Sequence, residues 1–361
     1  MLQKPVLHVL RLAAGALPLL DRLCLEEALL RADARNWLVT AHGEPGAPGA
    51  APTIVLGVAG QLERLVHVEA AAARGASVLR RFSGGGTVVV DAGTLFAGFV
   101  LNQSDVAPAR PLFPRDIMRW SEGVYAPVFA RTFGGAGAAG AGAGARGAAV
   151  AAAAGASGTA VAALSAPDGA SAAFGARPSL PAAAQAPAAT SAAAASPFSP
   201  FPAASAAAAT AAPSSFSLRE HDYCWGDRKV GGNAQSVSRD RWVHHTSFLW
   251  DFDERNMQLL RLPERRPDYR RDRAHGDFVA ALSRLGGGGA GAGSAGGGGS
   301  SGGGGGGATR ELFLDALEAR MREEWDVRAA SLEEALEVVS RPAARERRSN
   351  AVVPLPRGAS H

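Results

Sequence analysis

Apolar and polar positions divide the chain into short strands, a few helices and two stretches with neither pattern. Val6 to Leu12 alternates loosely and predicts a strand. Pro18 suits the first turn of a helix. Leu19, Leu20, Leu23 and Leu30 fall on one side of a 3.6-residue wheel, so an amphipathic helix is expected to about Ala34. Trp37 to Thr40 and Thr53 to Gly57 read as strands separated by the Gly/Pro loop 42–52, and Gly57 marks a close backbone approach. Residues 61–74 suit a short helix. Val78-Leu79 leads into Arg80-Arg81-Phe82-Ser83-Gly84-Gly85-Gly86-Thr87-Val88-Val89-Val90-Asp91, read as a strand, a glycine turn and a second strand. Thr94 to Leu101 is another strand, and Pro114 opens a helix through Trp120, Val124, Val128 and Phe129.

The periodicity then stops. Residues 134–215 are nearly all Ala, Gly, Ser and Pro, with Arg146, Asp168 and Arg177 as their charges, and predict a disordered insertion. A surface loop can carry such a length, because closure entropy grows slowly with it. Order is expected again from Leu218. Gly226-Asp227 makes a hairpin turn, and Trp242 to Asp251 alternates as a strand. A helix is expected over Phe278 to Leu285, then a Gly-rich linker over 286–308, then amphipathic helices over Arg310–Trp325 and Ser331–Val339. Ser331 and Glu334 match a capping box. The tail from Arg341 reads as basic and loose.

Composition sharpens this picture. Without the 82 and 23 low-complexity residues, 256 of the 361 remain, which suits one α/β domain with an appendage. The net charge of +4 and pI near 9.6 are mildly basic, and no lysine–aromatic pattern points to nucleic acid. Two cysteines are too few for a disulfide scaffold or a cysteine zinc site, so a reducing compartment is the simplest expectation. No apolar window is long enough for a membrane span, and Lys4, Arg11, Asp21 and Arg22 interrupt the N-terminal apolar residues. The expected place is the cytoplasm, with an organelle left open.

The glycine turn is the first candidate site. Bare N–H groups attract anions, and two guanidiniums add forked donors for carboxylate or phosphate. An ordinary glycine-rich hairpin with surface arginines fits the same residues. Neither a Walker loop nor a dinucleotide fingerprint is present. Lys229, beside Gly231-Gly232, could bridge a carboxylate and a phosphate in acyl transfer, or be a surface hairpin lysine. His244 and His245 face opposite sides of one strand; either could act as a base or bind phosphate, and a structural role is open to both. Asp222 and Asp91 could orient Lys229 or hold a cation, or simply serve their turns. Cys224 has only His221 nearby as a base for nucleophilic work. No metal-ligand spacing is seen.

Three segments together carry a resemblance. Residues 80–91 resemble the arginine–glycine motif of lipoate–protein ligases. Asp227-Arg228-Lys229-Val230-Gly231-Gly232-Asn233-Ala234-Gln235 resembles their lysine segment, and His244-His245-Thr246-Ser247-Phe248-Leu249 their following histidine strand. The chain departs from the family pattern at Val89-Val90, often Tyr-His, and at Thr246, usually glycine. The resemblance covers most of 1–133 and 216–285, and does not clearly extend over 309–361.

It implies an α/β (α+β) fold, a mixed β-sheet flanked by helices of the biotin/lipoate ligase catalytic-domain type, over 1–133 plus 216–285. It implies two steps: lipoate and ATP give lipoyl-adenylate and pyrophosphate, then a lysine of an acceptor lipoyl domain takes the acyl group. Lys229 would be catalytic, contacting the carboxyl and α-phosphate oxygens. Arg80, Arg81, Ser83, Gly84, Gly85, Gly86, Thr87, Asp222, Gly232, Asn233, Ala234, Gln235 and His245 would bind substrate and adenylate. ATP with magnesium and lipoate or octanoate would be substrates, with no prosthetic group and no resident metal. The partner would be a 2-oxoacid dehydrogenase subunit or a glycine-cleavage H protein, met by a monomer, with no nucleic acid or membrane involved. An octanoyl- or biotin-transfer enzyme of the same fold, and a non-catalytic acyl-binding homologue, are the alternatives.

Overall fold

In the computed structural model the described residues are 3–43, 50–107, 111–134, 216–262, 267–271, 273–285, 308–345 and 349–355. The expected disordered insertion, apart from Gly134, and nearly all of the Gly-rich linker lie outside them. Among the described residues no helix is long and apolar enough to cross a membrane.

The strands are β1 (Val6–Leu12), β2 (Asn36–His42), β3 (Thr53–Leu56), β4 (Ser77–Arg80), β5 (Gly84–Gly85), β6 (Val88–Val90), β7 (Thr94–Asn102), β8 (Phe216–Arg219), β9 (Asp222–Trp225), β10 (Arg228–Val237), β11 (Arg241–Leu249), β12 (Asp326–Ala329) and β13 (Ala351–Val352). The longer helices are α1 (Leu19–Ala32), α2 (Pro114–Phe133), α3 (Arg310–Glu324) and α4 (Leu332–Ser340). The main sheet runs β12-β1-β2-β7-β11-β10-β9-β8, with β5 joined to β10. It is mixed: β1 is parallel to β12 and β2, and the other pairings are antiparallel. A second sheet runs β13-β4-β3-β6.

Alternation sorts the side chains into layers. On β7, Phe99 and Leu101 face an aromatic core with Trp120, Tyr125 and Phe129 of α2 and Phe313 of α3. Phe96 and Val100 face the opposite core, shared with α1, Ala335 and Val338 of α4, and Val55, Leu79 and Val90 of the second sheet. The outer side of the second sheet is closed by Leu62, Val66, Ala71, Met257 and Leu259.

Several expectations are corrected. β4 and β6 do not form a hairpin; they lie on either side of β3, and the glycines between them cross over to β10. Residues 61–74 form two short helices, Leu62–Leu65 and Val68–Ala73, instead of one. The helix expected over Phe278 to Leu285 is replaced by a helical turn, His275–Phe278, and a 3₁₀ turn, Leu282–Arg284. The reason is that Val279 bridges to Lys229 and the Ala280 N–H donates to the Lys229 carbonyl at 2.8 Å, which draws the backbone to the sheet.

The C-terminal part is not an appendage, because β12 extends the main sheet at β1. Nor is its tail wholly loose. β13 pairs with Leu79 and Arg80, and Asn350 accepts from the Phe82 N–H while donating to Glu27. Ser331 caps α4 through the Glu334 N–H, whereas the Glu334 carboxylate pairs with Arg35 and leaves the box half made.

Candidate active site

A narrow cavity of about 40 Å³ lies between the two sheets, under α1. Leu19 and Leu23 of α1, Val55 of β3, Val88 and Val90 of β6 and Phe96 of β7 give it apolar walls. Arg22, Arg81, Asn233, Ala234 and His245 supply its polar and backbone groups.

Arg81 is the most unusual of these. Its guanidinium is buried and donates to two carbonyls, Val55 at 3.3 Å and Gly86 at 2.7 Å. No carboxylate faces it among the described residues, and desolvation pulls its pKa down to about 10. A buried cation without a counter-charge is costly, and an incoming anion would relieve that cost.

The glycine crossover wraps this group. Gly85 has φ +131°, and a Cβ there would meet the Asn233 carbonyl at 2.8 Å and Arg81 Nη2 at 2.9 Å. A Cβ on Gly57 would stand 2.4 Å from the Gly85 carbonyl. Gly57 therefore does mark a close backbone approach. Gly86 has open space on its Cβ side. Arg80 turns away to the loop after β3, donating to the Gly60 carbonyl at 2.5 Å.

Charges enter the inner wall from α1 and β11. His245 Nδ1 lies 2.6 Å from Glu26 Oε2, and Arg22 lies 3.4 Å from Glu26 Oε1 with its guanidinium over the Phe96 ring. Burial alone would raise the Glu26 pKa, but the charges of His245 and Arg22 outweigh it and hold it low. His244 faces the opposite core, where burial and the neighbouring His245 push it down to about 3.

Lys229 does not line this cavity. Its ammonium pairs with Asp222 Oδ1 at 2.7 Å and reaches along β10 to 3.4 Å from where a Gly232 Cβ would sit, one residue from Asn233. A bulge between Lys229 and Gly231 makes that reach possible. Tyr269 donates to the other oxygen of Asp222 at 2.8 Å. Cys224 is buried, and desolvation pushes its thiol up.

Of the residues singled out in the sequence, the structure brings Arg81, Asn233, Ala234 and His245 to one cavity. Gly84 and Gly85 register against Gln235 and Ala234. Lys229, Asp222 and Gly232 cluster beside it. Ser83 is buried under the crossover, its carbonyl accepting from the Val58 N–H, and Thr87 follows the glycines with no partner for its hydroxyl. Gln235 points elsewhere, to the Pro114 carbonyl and His244. Sequence reasoning missed Arg22, Glu26 and Tyr269. The first two had a signal: Arg22 and Glu26 are an i,i+4 pair, and Glu26 sits three after Leu23 and four before Leu30, on the apolar stripe.

Comparison with known proteins bears on the fold. The profile of the lipoyl protein ligase A/B catalytic domain matches residues 49–128 and 200–290. A Plasmodium falciparum protein named inactive lipoate–protein ligase 2 is 38% identical over 78 residues; the match spans 19% of this chain and 20% of that protein. The crystal structure of lipoate-protein ligase A bound with ATP superposes with a TM-score of 0.52 at 14% identity, covering 95% of this chain and 94% of that one. The bipartite lipoate protein ligase of Thermoplasma acidophilum, described with its E2 lipoyl domain, gives 0.51 at 14% identity, covering 95% and 91%. Such identities establish a shared fold.

Proposed function

We propose that the chain, which the lipoyl protein ligase A/B catalytic domain matches over residues 49–128 and 200–290, activates lipoate with ATP and passes the acyl group to a lysine of a lipoyl-domain protein. A lipoate carboxylate oxygen attacks the α-phosphorus of ATP; the new acyl–phosphate bond forms as pyrophosphate leaves. The acceptor amine then attacks the acyl carbon, an amide forms, and AMP leaves with the anhydride oxygen while the amine gives up a proton.

The observation that carries this reading is the register of β10 against the glycine crossover. Ala234 pairs with Gly85 and Gln235 with Gly84, so two motifs some 150 residues apart share one wall. Buried Arg81 offers an uncompensated positive charge to a carboxylate or phosphate there, and Lys229 stands at the rim to follow the charge as it moves between them. The apolar walls suit an acyl chain. Magnesium would enter with the nucleotide as MgATP and offset the charge of its phosphates. We assign these steps to residues 1–133 with 216–285. The acceptor is a 2-oxoacid dehydrogenase subunit or a glycine-cleavage H protein, and the enzyme acts as a monomer.

The test is purified protein with MgATP, lipoate and a lipoyl domain, read by pyrophosphate release and by the mass of the acceptor. The expected result is both products, with Lys229→Ala folded but forming no adenylate. Saturating substrates without pyrophosphate or loaded acceptor would overturn activation. A second reading, an acid-binding protein without activation, is favoured by the name of the Plasmodium relative and by the departures at Val90 and Thr246. It is recognised by calorimetry: tight lipoate binding with no effect of ATP.

A further inference from the structure

Lys229 is held by a residue that lies outside every motif. Asp222 opens β9 and Lys229 lies near the start of β10, so the ion pair spans one hairpin. Each Asp222 oxygen has a separate partner: Oδ1 faces Lys229 Nζ at 2.7 Å, and Oδ2 accepts from the Tyr269 hydroxyl at 2.8 Å. Cys224 Sγ donates to the same hydroxyl oxygen at 3.3 Å, which leaves the phenol proton for the carboxylate. Burial and the Asp222 charge raise the phenol pKa, so the group keeps that proton throughout the working range.

The turn bearing Tyr269, Asp268–Arg270, is laced to the hairpin. The Asp268 N–H donates to Glu220 Oε1 at 2.7 Å. Arg273 donates to the Tyr269 carbonyl at 2.8 Å and to Asp227 Oδ2 at 3.0 Å. The ring itself packs on Phe278, centroids 5.3 Å apart. A carboxylate with one oxygen on a fixed hydroxyl cannot rotate freely, and the lysine on its other oxygen is then aimed.

We propose that Tyr269 is a positioning residue that aims the Lys229 ammonium through Asp222; this rests on the reading of Lys229 given above. The phenol touches neither acid nor nucleotide in this role. Losing its hydroxyl lets Asp222 swing, and the lysine loses its direction while substrate binding elsewhere stays intact.

The experiment is a double-mutant cycle on the full chain with Tyr269→Phe and Asp222→Asn. Two readouts are taken: kcat and KM for pyrophosphate release, and the rate at which trinitrobenzenesulfonate modifies Lys229, followed by peptide mapping. Tyr269→Phe keeps the ring packing. It is expected to lower kcat about tenfold, leave both KM values within about twofold, and speed Lys229 modification about threefold. In the Asp222→Asn background the same change should alter neither readout further. Wild-type behaviour of Tyr269→Phe, or an equal loss in the Asp222→Asn background, would overturn the proposal. If the wild-type protein releases no pyrophosphate, the ligase reading falls, and the Lys229 modification rates still decide for or against Tyr269.

Discussion

The His244 imidazole and the Tyr223 phenol meet at 2.8 Å, both fully buried beneath α2. Tyr223 also meets Ser121 Oγ at 2.6 Å, and Ser121 donates to the Met118 carbonyl. Gln235 Nε2 faces His244 Nδ1 at 3.1 Å, and the Pro114 carbonyl fixes that amide. The chain of donors closes for a neutral ring: Gln235 to Nδ1, Nε2–H to Tyr223, Tyr223 to Ser121.

Burial therefore gives this protein an acid-sensitive core. His244 takes a proton near 6.5 when unfolded and near 3 when folded, the shift arising from desolvation and then from His245. Between those values the unfolded chain binds the extra proton, so stability rises with pH there. It is fully present above about 6.5 and lost as the pH falls towards 3. Urea unfolding at pH 7 and pH 5 should differ by about 2 kcal/mol from this group alone. His244→Gln, though less stable overall, should lose that part of the difference. An unchanged difference in the variant would place the acid sensitivity elsewhere.

The glycine crossover and its neighbour Gly57 predict two different outcomes for one kind of substitution. Gly57→Ala drives a methyl into the Gly85 carbonyl, and Gly85→Ala adds a positive φ to a clash with Asn233 and Arg81. Each should cost about 1–3 kcal/mol in urea unfolding. Gly86→Ala meets nothing within 4 Å and should fold like the parent. If an anion seats on the bare backbone here, Gly86→Ala should still weaken lipoate-dependent pyrophosphate release. Normal folding with normal activity would remove Gly86 from the site.

What could be read in the chain followed from short-range rules. An apolar run located β7, alternation located β11, the leucine stripe located α1, and each of the three motif segments supplies residues to one cavity, among them Arg81, Asn233, Ala234 and His245. What could not be read depended on tertiary partners. β12 is four residues, Asp-Val-Arg-Ala, whose apolar face is only Val327 and Ala329, too short to signal a strand, and it forms against the edge that β1 offers. Residues 278–285 look helical until the Lys229 carbonyl takes the Ala280 N–H. Tyr269 sits in a polar stretch whose spacing signals nothing, and it matters only because its turn folds over the β9–β10 hairpin. Arg80 and Arg81 are adjacent letters with different fates: one caps a loop and the other is buried in the cavity wall.

That contrast yields the sharpest test of where the acid binds. Arg81 lines the cavity with no counter-charge among the described residues, so the folded protein bears a desolvation cost that bound carboxylate or phosphate would offset. Arg81→Met keeps the bulk and removes the cation. Two carbonyl acceptors lose a donor, but a buried charge also disappears, and the net change in urea stability should stay within about 1 kcal/mol. Lipoate binding by calorimetry should weaken about 10- to 100-fold, the worth of one charge-assisted pair in a dry site. Arg80→Met should behave in the opposite sense, loosening the 57–60 loop while weakening binding less. Equal losses for both variants would mean that the loop, not the buried guanidinium, forms the anion seat. Unaltered binding in Arg81→Met would show that the acid's charge is met elsewhere, by Arg22 of the same cavity or by Lys229 beside it.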